Sequence, residues 1–218
     1  MIRLDVEQGS AAWFAARAGL PTASNFDKLI TPKTLKPSAQ NRGYRNHLLA
    51  EWLLGEAIVE EGSQFMGRGQ DLEAEARDWY EMERGQDVEL GGFCLRDDRR
   101  TGCSPDGFVG TDGLVQIKVP SAANHVGYLL DGLGDQYRLQ LQGELWVCDR
   151  TWCDFVSYNP KLPAVLLRIE RDEEVIQAIQ SAVDQFADEL AASREILLGM
   201  GLAPRKRAEP QALFVGVG

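Results

Sequence analysis

The sequence predicts an α/β fold, a single domain in which a central mixed β-sheet is flanked by helices. Hydrophobic patterns of helical and strand period alternate along the chain, as they do in layered folds of this class. The 218 residues are 44% apolar, enough to bury one sizeable core, and no linker-like Pro/Gly/Ser run divides them. We therefore expect one domain over residues 1–200 and a C-terminal tail over 201–218, either flexible or at a subunit contact.

The predicted elements follow from the spacing of apolar residues and from turn signals. Helices are expected near 11–17, 23–30, 39–54 and 68–83. Strands near 87–95, 105–109 and 114–119 follow, then helices near 121–131 and 136–147, then strands near 152–158 and 164–169. A last helix from 173 to about 198 carries a single apolar face.

Composition restricts the partners of the chain. No stretch approaches 18 continuous apolar residues and the N-terminus lacks a signal peptide's apolar segment, so we expect a cytoplasmic protein without a membrane partner. The four cysteines form no C-x-x-C pair and should remain reduced thiols. The net charge is −10, yet residues 27–49 hold five basic residues, among them Lys33, Arg42 and Arg45, against Asp27 alone. Such a basic face attracts a polyanion such as DNA to one groove of an acidic molecule.

The most informative motif is Ser104-Pro105-Asp106-Gly107 followed by Gln116-Ile117-Lys118. The intervening Gly110-Thr111-Asp112-Gly113 predicts a tight turn and a hairpin, which folds Asp106 back toward residues 116–118. Because side chains alternate along a strand, Gln116 and Lys118 share one face, while Ile117 points into the core and offers its carbonyl oxygen. Carboxylates, a lysine and a divalent metal are what phosphodiester cleavage requires.

This motif resembles the active site of the PD-(D/E)xK nucleases, whose fold is restriction-endonuclease-like. The resemblance implies that Asp106 and residue 116 hold Mg²⁺, or Mn²⁺ in its place, with two ions per site and help from the Ile117 carbonyl. It also implies that Lys118 positions the attacking water. In this chain Gln116 stands where the family has its second acid.

Three further segments resemble the lambda exonuclease family, the phage-type recombination nucleases. Gly69 to Arg77 is similar to that family's G-x-x-x-E-x-x-A-R helix, which implies that Glu73 is a metal ligand. Tyr137 to Val147 is similar to its Q-x-Q-x-x-x-W helix, which implies that Gln140 supports catalysis. Trp13 to Ser24 is similar to its W-x-x-x-R-x-G-x-x-T-A-S opening. That opening implies a 5′-phosphate pocket built from Arg17, Ser24 and Ser104.

The resemblance also implies three further DNA contacts. Met66 aligns with an apolar wedge that splits the terminal base pair, although a methionine is more often a packing residue. Asn124 stands where relatives carry another phosphate-binding arginine, and His125 beside it is a candidate substitute or a packing histidine.

Taken together, these motifs imply a Mg²⁺-dependent 5′-to-3′ double-stranded DNA exonuclease that produces 3′ single-stranded ends for recombination by strand annealing. The resemblance implies duplex ends with a 5′-phosphate as substrate, a ring-shaped homotrimer, and a single-strand annealing recombinase as partner. It places the protein in the cytoplasm of a bacterium or a phage-infected host cell.

Gln116 leaves alternatives open. The otherwise intact motifs favour an introduced glutamate-to-glutamine change that traps substrate, and we expect digestion at least ~10²-fold slower than with glutamate. A structure-specific or site-specific endonuclease would use the same metal cluster. A catalytically inactive DNA-end-binding protein is the third interpretation.

Overall fold

The computed structural model describes residues 1–58 and 66–205, and of residues 66–71 it describes the backbone only. The helices in these ranges are α1 (Ala11–Arg17), α2 (Asn41–Leu54), α3 (Met66–Arg84), α4 (Ala122–Asp131), α5 (Arg138–Cys148) and α6 (Glu173–Gly199). The strands are β1 (Ile2–Leu4), β2 (Val88–Leu90), β3 (Phe93–Leu95), β4 (Gly102–Cys103), β5 (Gly107–Val109), β6 (Gly113–Lys118), β7 (Trp152–Ser157) and β8 (Val165–Glu170).

The larger sheet has the strand order β2-β5-β6-β7-β8. Strands β6 and β7 are parallel, and every other neighbouring pair in this sheet is antiparallel. Parallel neighbours require a crossover, and α4 and α5 provide it. The predicted α/β fold with a central mixed sheet and flanking helices is confirmed.

A smaller antiparallel sheet, of order β1-β3-β4, was not expected from the sequence. The single strand predicted over 87–95 is wrong, because the chain breaks at Gly91-Gly92 and sends β2 and β3 to different sheets. Gly92 has φ +66°, and a Cβ on Gly91 would lie 2.1 Å from the Pro105 carbonyl oxygen. Both positions therefore need glycine.

The helix predicted over 23–30 also differs, because residues Ala23–Lys28 form a 3₁₀ helix. Local capping accounts for other helix starts. Asp172 accepts the backbone N–H groups of Glu174 and Val175 and so begins α6, while Ser121 accepts from Asn124 and begins α4. The tail predicted over 201–218 is described as far as Arg205, whose backbone N–H donates to the Leu53 carbonyl at 3.0 Å.

The core lies on both faces of the larger sheet. On one face, Leu114 and Phe155 pack against Leu141 and Leu145 of α5. On the other, Val115 and Ile117 pack against Ala76 and Tyr80 of α3. Strand β6 is thus covered by a helix on each side, which is why its side chains are buried up to Lys118. In the described residues, no helix combines the length and apolar character needed to cross a bilayer.

Candidate active site

The hairpin of β5 and β6 positions the first acidic residue. Its turn passes through Gly110 at φ +56°, and its register pairs Gly107 with Val115. Asp106 precedes β5, and its Oδ2 accepts the backbone N–H of Ile117 at 2.6 Å. The predicted return of Asp106 to residues 116–118 is confirmed.

Because side chains alternate along β6, the predicted site residues lie on one face of the strand and Ile117 lies on the other. Gln116 and Lys118 share the face of Leu114, which looks toward α5, whereas Ile117 points toward α3 as predicted. The Lys118 Nζ lies 5.5 Å from the centre of the Tyr137 ring, just before α5. The use of the Ile117 carbonyl as a metal ligand stays a prediction.

Gln116 is 2% exposed and bonded directly to Asp106. Its Nε2 donates to Asp106 Oδ2 at 2.6 Å, while its Oε1 is buried and has no hydrogen-bond partner. The amide orientation follows from the bond, because only Nε2 can donate to a carboxylate oxygen. An amide hydrogen bond thus joins two positions that would otherwise carry two repelling carboxylates.

Glu73 on α3 approaches the same site from the opposite layer. Partial loss of hydration raises the pKa of Glu73, and the neighbouring Asp106 carboxylate raises it further, against the lowering effect of Lys118 and Arg77. Burial likewise raises the pKa of Asp106, and Lys118 and the Ile117 N–H lower it in part. These mutual influences place Glu73, Asp106 and Lys118 in one cluster.

Glu144 was not among the residues predicted from the sequence, and it belongs to this neighbourhood. It is 1% exposed, and burial raises its pKa to about 8, with Asp106 raising it and Lys118 lowering it. The Gln140 Nε2 donates to Glu144 Oε1 at 2.8 Å, so the predicted catalytic glutamine holds this carboxyl group. The sequence did contain a signal for Glu144. It lies on a predicted helix among the apolar residues Leu141, Leu145 and Trp146, and a glutamate is rarely buried in such surroundings without a partner.

Two of the three predicted 5′-phosphate residues, Arg17 and Ser104, are linked through Trp13. The Trp13 Nε1 donates to Ser104 Oγ at 2.7 Å, and the Arg17 guanidinium lies 4.3 Å from the centre of the Trp13 ring. Ser24 is exposed, and its Oγ lies 3.3 Å from the Thr22 hydroxyl. Trp13 thus connects Arg17 with Ser104, whereas among the described residues no hydrogen bond joins Ser24 to either of them.

A cleft of about 580 Å³ opens beside Arg17. Lys28 and His47 add two basic groups to its wall, and Glu51 adds a carboxylate. Glu51 is committed to the backbone N–H groups of Gly19 and Ile58. Burial lowers the pKa of Arg17, and Tyr44 and Glu51 oppose that effect. Neither Ser24 nor Ser104 lines this cleft.

The predicted DNA-contacting residues divide by exposure. Lys33, Arg42 and Asn124 are exposed, while Arg45 is half-buried and paired with Glu189 at 2.9 Å. The side chain of Met66 lies outside the described residues.

The prediction that His125 contacts DNA is wrong for this structure. The ring is fully buried, its Nδ1 is 2.7 Å from Ser157 Oγ and its Nε2 is 2.9 Å from the Pro163 carbonyl. Both ring nitrogens are thus occupied inside the protein, and His125 serves packing between α4 and β7.

The donor atoms at this site suit a hard divalent cation. Asp106, Glu73 and Glu144 bring carboxylates, and Gln116 brings a buried carbonyl oxygen without a partner. Oxygen ligands of this kind are what Mg²⁺ prefers. Within residues 1–58 and 66–205, however, no three His, Cys, Asp or Glu side chains converge closely enough to hold a metal by themselves.

Comparison with known proteins agrees with this geometry. Residues 12–151 match the family model described as the YqaJ-like viral recombinase domain. The structure superposes with TM-score 0.79 on an alkaline exonuclease, LHK-Exo, from Laribacter hongkongensis, at 34% identity over 88% of this chain and 98% of that one. The structure of LHK-Exo in complex with dAMP matches equally well.

A phage-related exonuclease from Haemophilus somnus 129PT has TM-score 0.61 at 18% identity, over 80% of this chain and 96% of that one, and supports the fold alone. The search of curated proteins finds no significant match. The family match covers more than half of the chain and includes the Trp13 to Ser24 opening, the β5–β6 hairpin and α5. The chain therefore belongs to the YqaJ-like viral recombinase family, the phage-type recombination nucleases that its motifs resemble.

Proposed function

We propose that this protein is a Mg²⁺-dependent 5′-to-3′ exonuclease of double-stranded DNA that leaves 3′ single-stranded ends for recombination by strand annealing. The observation that carries the proposal is the clustering of Asp106, Lys118 and Glu73 around the β5–β6 hairpin. In metal-dependent phosphodiester hydrolysis, carboxylate oxygens hold a metal ion close to the attacking water. A lysine side chain beside the metal ion can orient that water. The similarity to an alkaline exonuclease supports the same chemistry.

In this proposal Asp106, Glu73, Gln116 and the Ile117 carbonyl hold up to two Mg²⁺ ions, for which Mn²⁺ can substitute. When bound, the cation offsets charge on the scissile phosphate and acidifies water. Lys118 orients the attacking water, and among the described residues its ammonium forms no ion pair within 4 Å that would hold it away from that role. Gln140 supports the site through Glu144.

The 5′-phosphate end of the duplex is assigned to Arg17, Ser24 and Ser104. A guanidinium binds phosphate oxygens through a planar fork. The stack of Arg17 on Trp13 and the bond from Trp13 to Ser104 support one pocket for the first two residues. Lys33, Arg42 and Asn124 are exposed and free to contact the DNA backbone in this proposal. The solved complex of the Laribacter relative with dAMP supports nucleotide binding.

We further assign a homotrimeric ring and a single-strand annealing recombinase partner to the protein, on its resemblance to phage recombination nucleases. Helix α4 exposes Val126, Leu129 and Leu130, by 40%, 42% and 77%. A second copy of the chain would cover such apolar surface.

A second candidate function, slow or absent cleavage by a protein that binds DNA ends, is favoured by Gln116. Its Nε2 occupies an Asp106 oxygen that a cation would otherwise use, and an amide brings no negative charge. In this proposal Gln116 makes the chain a slower nuclease than a glutamate would.

The test is digestion of linear 5′-phosphorylated duplex with Mg²⁺, with circular duplex alongside. Loss of linear DNA from 5′ ends with circular DNA intact supports an end-dependent exonuclease. Cleavage of the circle would favour the endonuclease interpretation. Binding without degradation, in both this chain and its Gln116→Glu variant, would leave only end binding. Lys118→Ala should abolish cleavage, whereas Lys161→Ala, in an exposed loop, is the matched control.

A further inference from the structure

Glu144 is a buried carboxyl group held at one oxygen and free at the other. Gln140, one helical turn earlier on α5, donates to its Oε1 at 2.8 Å. Its Oε2 is buried and has no hydrogen-bond partner. A buried acceptor without a hydrogen-bond partner is destabilising, so native proteins rarely leave one without a role.

A second unpartnered oxygen comes from the element facing α5. Gln116 projects from β6 on the side of Leu114, and Leu114 packs in the same cluster as Leu141 and Leu145 of α5. Its Oε1 is likewise buried without a partner. Two acceptors cannot satisfy each other without a proton or a cation between them.

The charges around Glu144 are those of the candidate metal site. Asp106 and Lys118 both act on its ionisation, as does the thiol of Cys94. The packing of α5 agrees with this, because Leu141 and Leu145, which flank Glu144 on that helix, share a buried cluster with Leu114, on the face of β6 that carries Gln116.

We propose that Glu144 is a ligand of the divalent cation and supplies from α5, beside Asp106 and Glu73, the carboxylate that residue 116 lacks. Gln140 is then a positioning residue, because it holds Oε1 and so directs Oε2. The proposal rests on the proposed metal-dependent function, and it assigns to this chain an acid on a helix in place of one on the strand.

Metal binding tests this assignment independently of cleavage. Isothermal calorimetry with Mn²⁺ would compare four proteins: the parent, Glu144→Gln, Gln116→Glu and the double variant. We expect Glu144→Gln to weaken Mn²⁺ binding by at least about tenfold, the scale on which metal-site substitutions act. In the Gln116→Glu background the same substitution should weaken it by less than about threefold, because the strand then carries the acid.

The contrary result is equally clear. If Glu144→Gln weakens Mn²⁺ binding by the same factor in both backgrounds, or not at all, Glu144 does not replace the acid at residue 116. Its free oxygen would then carry a proton that bonds to Gln116. Glu51→Gln is the matched control, since Glu51 is also a buried glutamate but is bonded to backbone N–H groups, and it should leave Mn²⁺ affinity unchanged.

Folding and function are separated by two further measurements. Thermal unfolding of each metal-free variant shows whether it folds, and Glu144→Asp, which keeps the charge on a shorter side chain, should bind Mn²⁺ more tightly than Glu144→Gln. DNA digestion is measured separately. If no variant degrades DNA while the calorimetric pattern holds, the metal-ligand assignment stands and the proposed nuclease function fails.

Discussion

Gln116 and Asp106 are joined by a hydrogen bond of 2.6 Å from the amide Nε2 to Oδ2. A glutamate at residue 116 could not donate that bond while ionised, and its charge would repel Asp106 until a cation lay between them. The amide therefore stabilises the site without metal and weakens the attraction for a divalent cation that we propose for it.

The first prediction concerns this bond. Gln116→Glu should digest linear duplex at least ~10²-fold faster than the parent, about 3 kcal/mol in barrier terms, because the carboxylate raises metal occupancy. Single-turnover digestion at one sub-saturating Mg²⁺ concentration for both proteins measures it. The same variant should unfold at a lower temperature than the parent without metal and regain the difference with Mg²⁺. Equal cleavage rates would remove residue 116 from the metal site.

A second prediction concerns the phosphate pocket. Arg17→Ala should reduce the preference for a 5′-phosphate over a 5′-hydroxyl duplex by about 1.5 to 3 kcal/mol, the worth of a charge-assisted hydrogen bond. Competition binding with the two duplexes measures it. Arg99→Ala, an exposed arginine, is the control for lost charge. If the Arg17→Ala variant keeps the full preference for a 5′-phosphate over a 5′-hydroxyl, Arg17 does not bind the 5′-phosphate.

Trp13→Phe isolates the contact from Trp13 to Ser104. Phenylalanine keeps a ring beneath Arg17 but cannot donate to Ser104 Oγ, so stability should fall by about 0.5 to 1.5 kcal/mol. We expect 5′-phosphate discrimination to weaken less than in Arg17→Ala. Urea unfolding and the same competition assay give both values, and a larger loss of discrimination than in Arg17→Ala would contradict this order.

The pH dependence of stability follows from Glu144, whose pKa rises from 4.5 to about 8 through burial. The native state keeps a proton that the unfolded chain releases near pH 4.5, so this stabilisation is complete below that pH. It is lost as pH rises through about 8. Each pKa unit between the native and the unfolded state changes the free energy of unfolding by about 1.4 kcal/mol.

The measurement is metal-free urea unfolding between pH 5 and 9, compared with Glu144→Gln, which cannot titrate. The parent should lose more stability than the variant across this interval. Parallel curves would show that Glu144 is already ionised at neutral pH.

Assembly gives the last prediction. Light scattering at micromolar concentration should report a mass near three chains. Leu130→Lys, on the exposed face of α4, should reduce that mass, while Met82→Lys, equally exposed on α3, should not. If the parent protein is a monomer at this concentration, the ring proposal is wrong and DNA would have to bind in a groove of the single chain.

Local sequence determined most of the helices and the hairpin of β5 and β6. Helix α1 has the predicted bounds, and the turn at Gly110 returned Asp106 to Ile117, because tight turns and strand alternation depend on neighbouring residues alone. The motifs also predicted the family correctly, since the family model matches residues 12–151, which contain all of them.

The tertiary structure decided what depends on distant contacts. The close approach of Pro105 to Gly91 divides one expected strand between two sheets, and the packing of α4 turns His125 inward to Ser157. Burial of α5 leaves Glu144 only 1% exposed and within the influence of Asp106, 38 residues away in sequence. Hydrophobic packing brings such positions together without regard to chain separation, so periodicity and motif spacing could not reveal them.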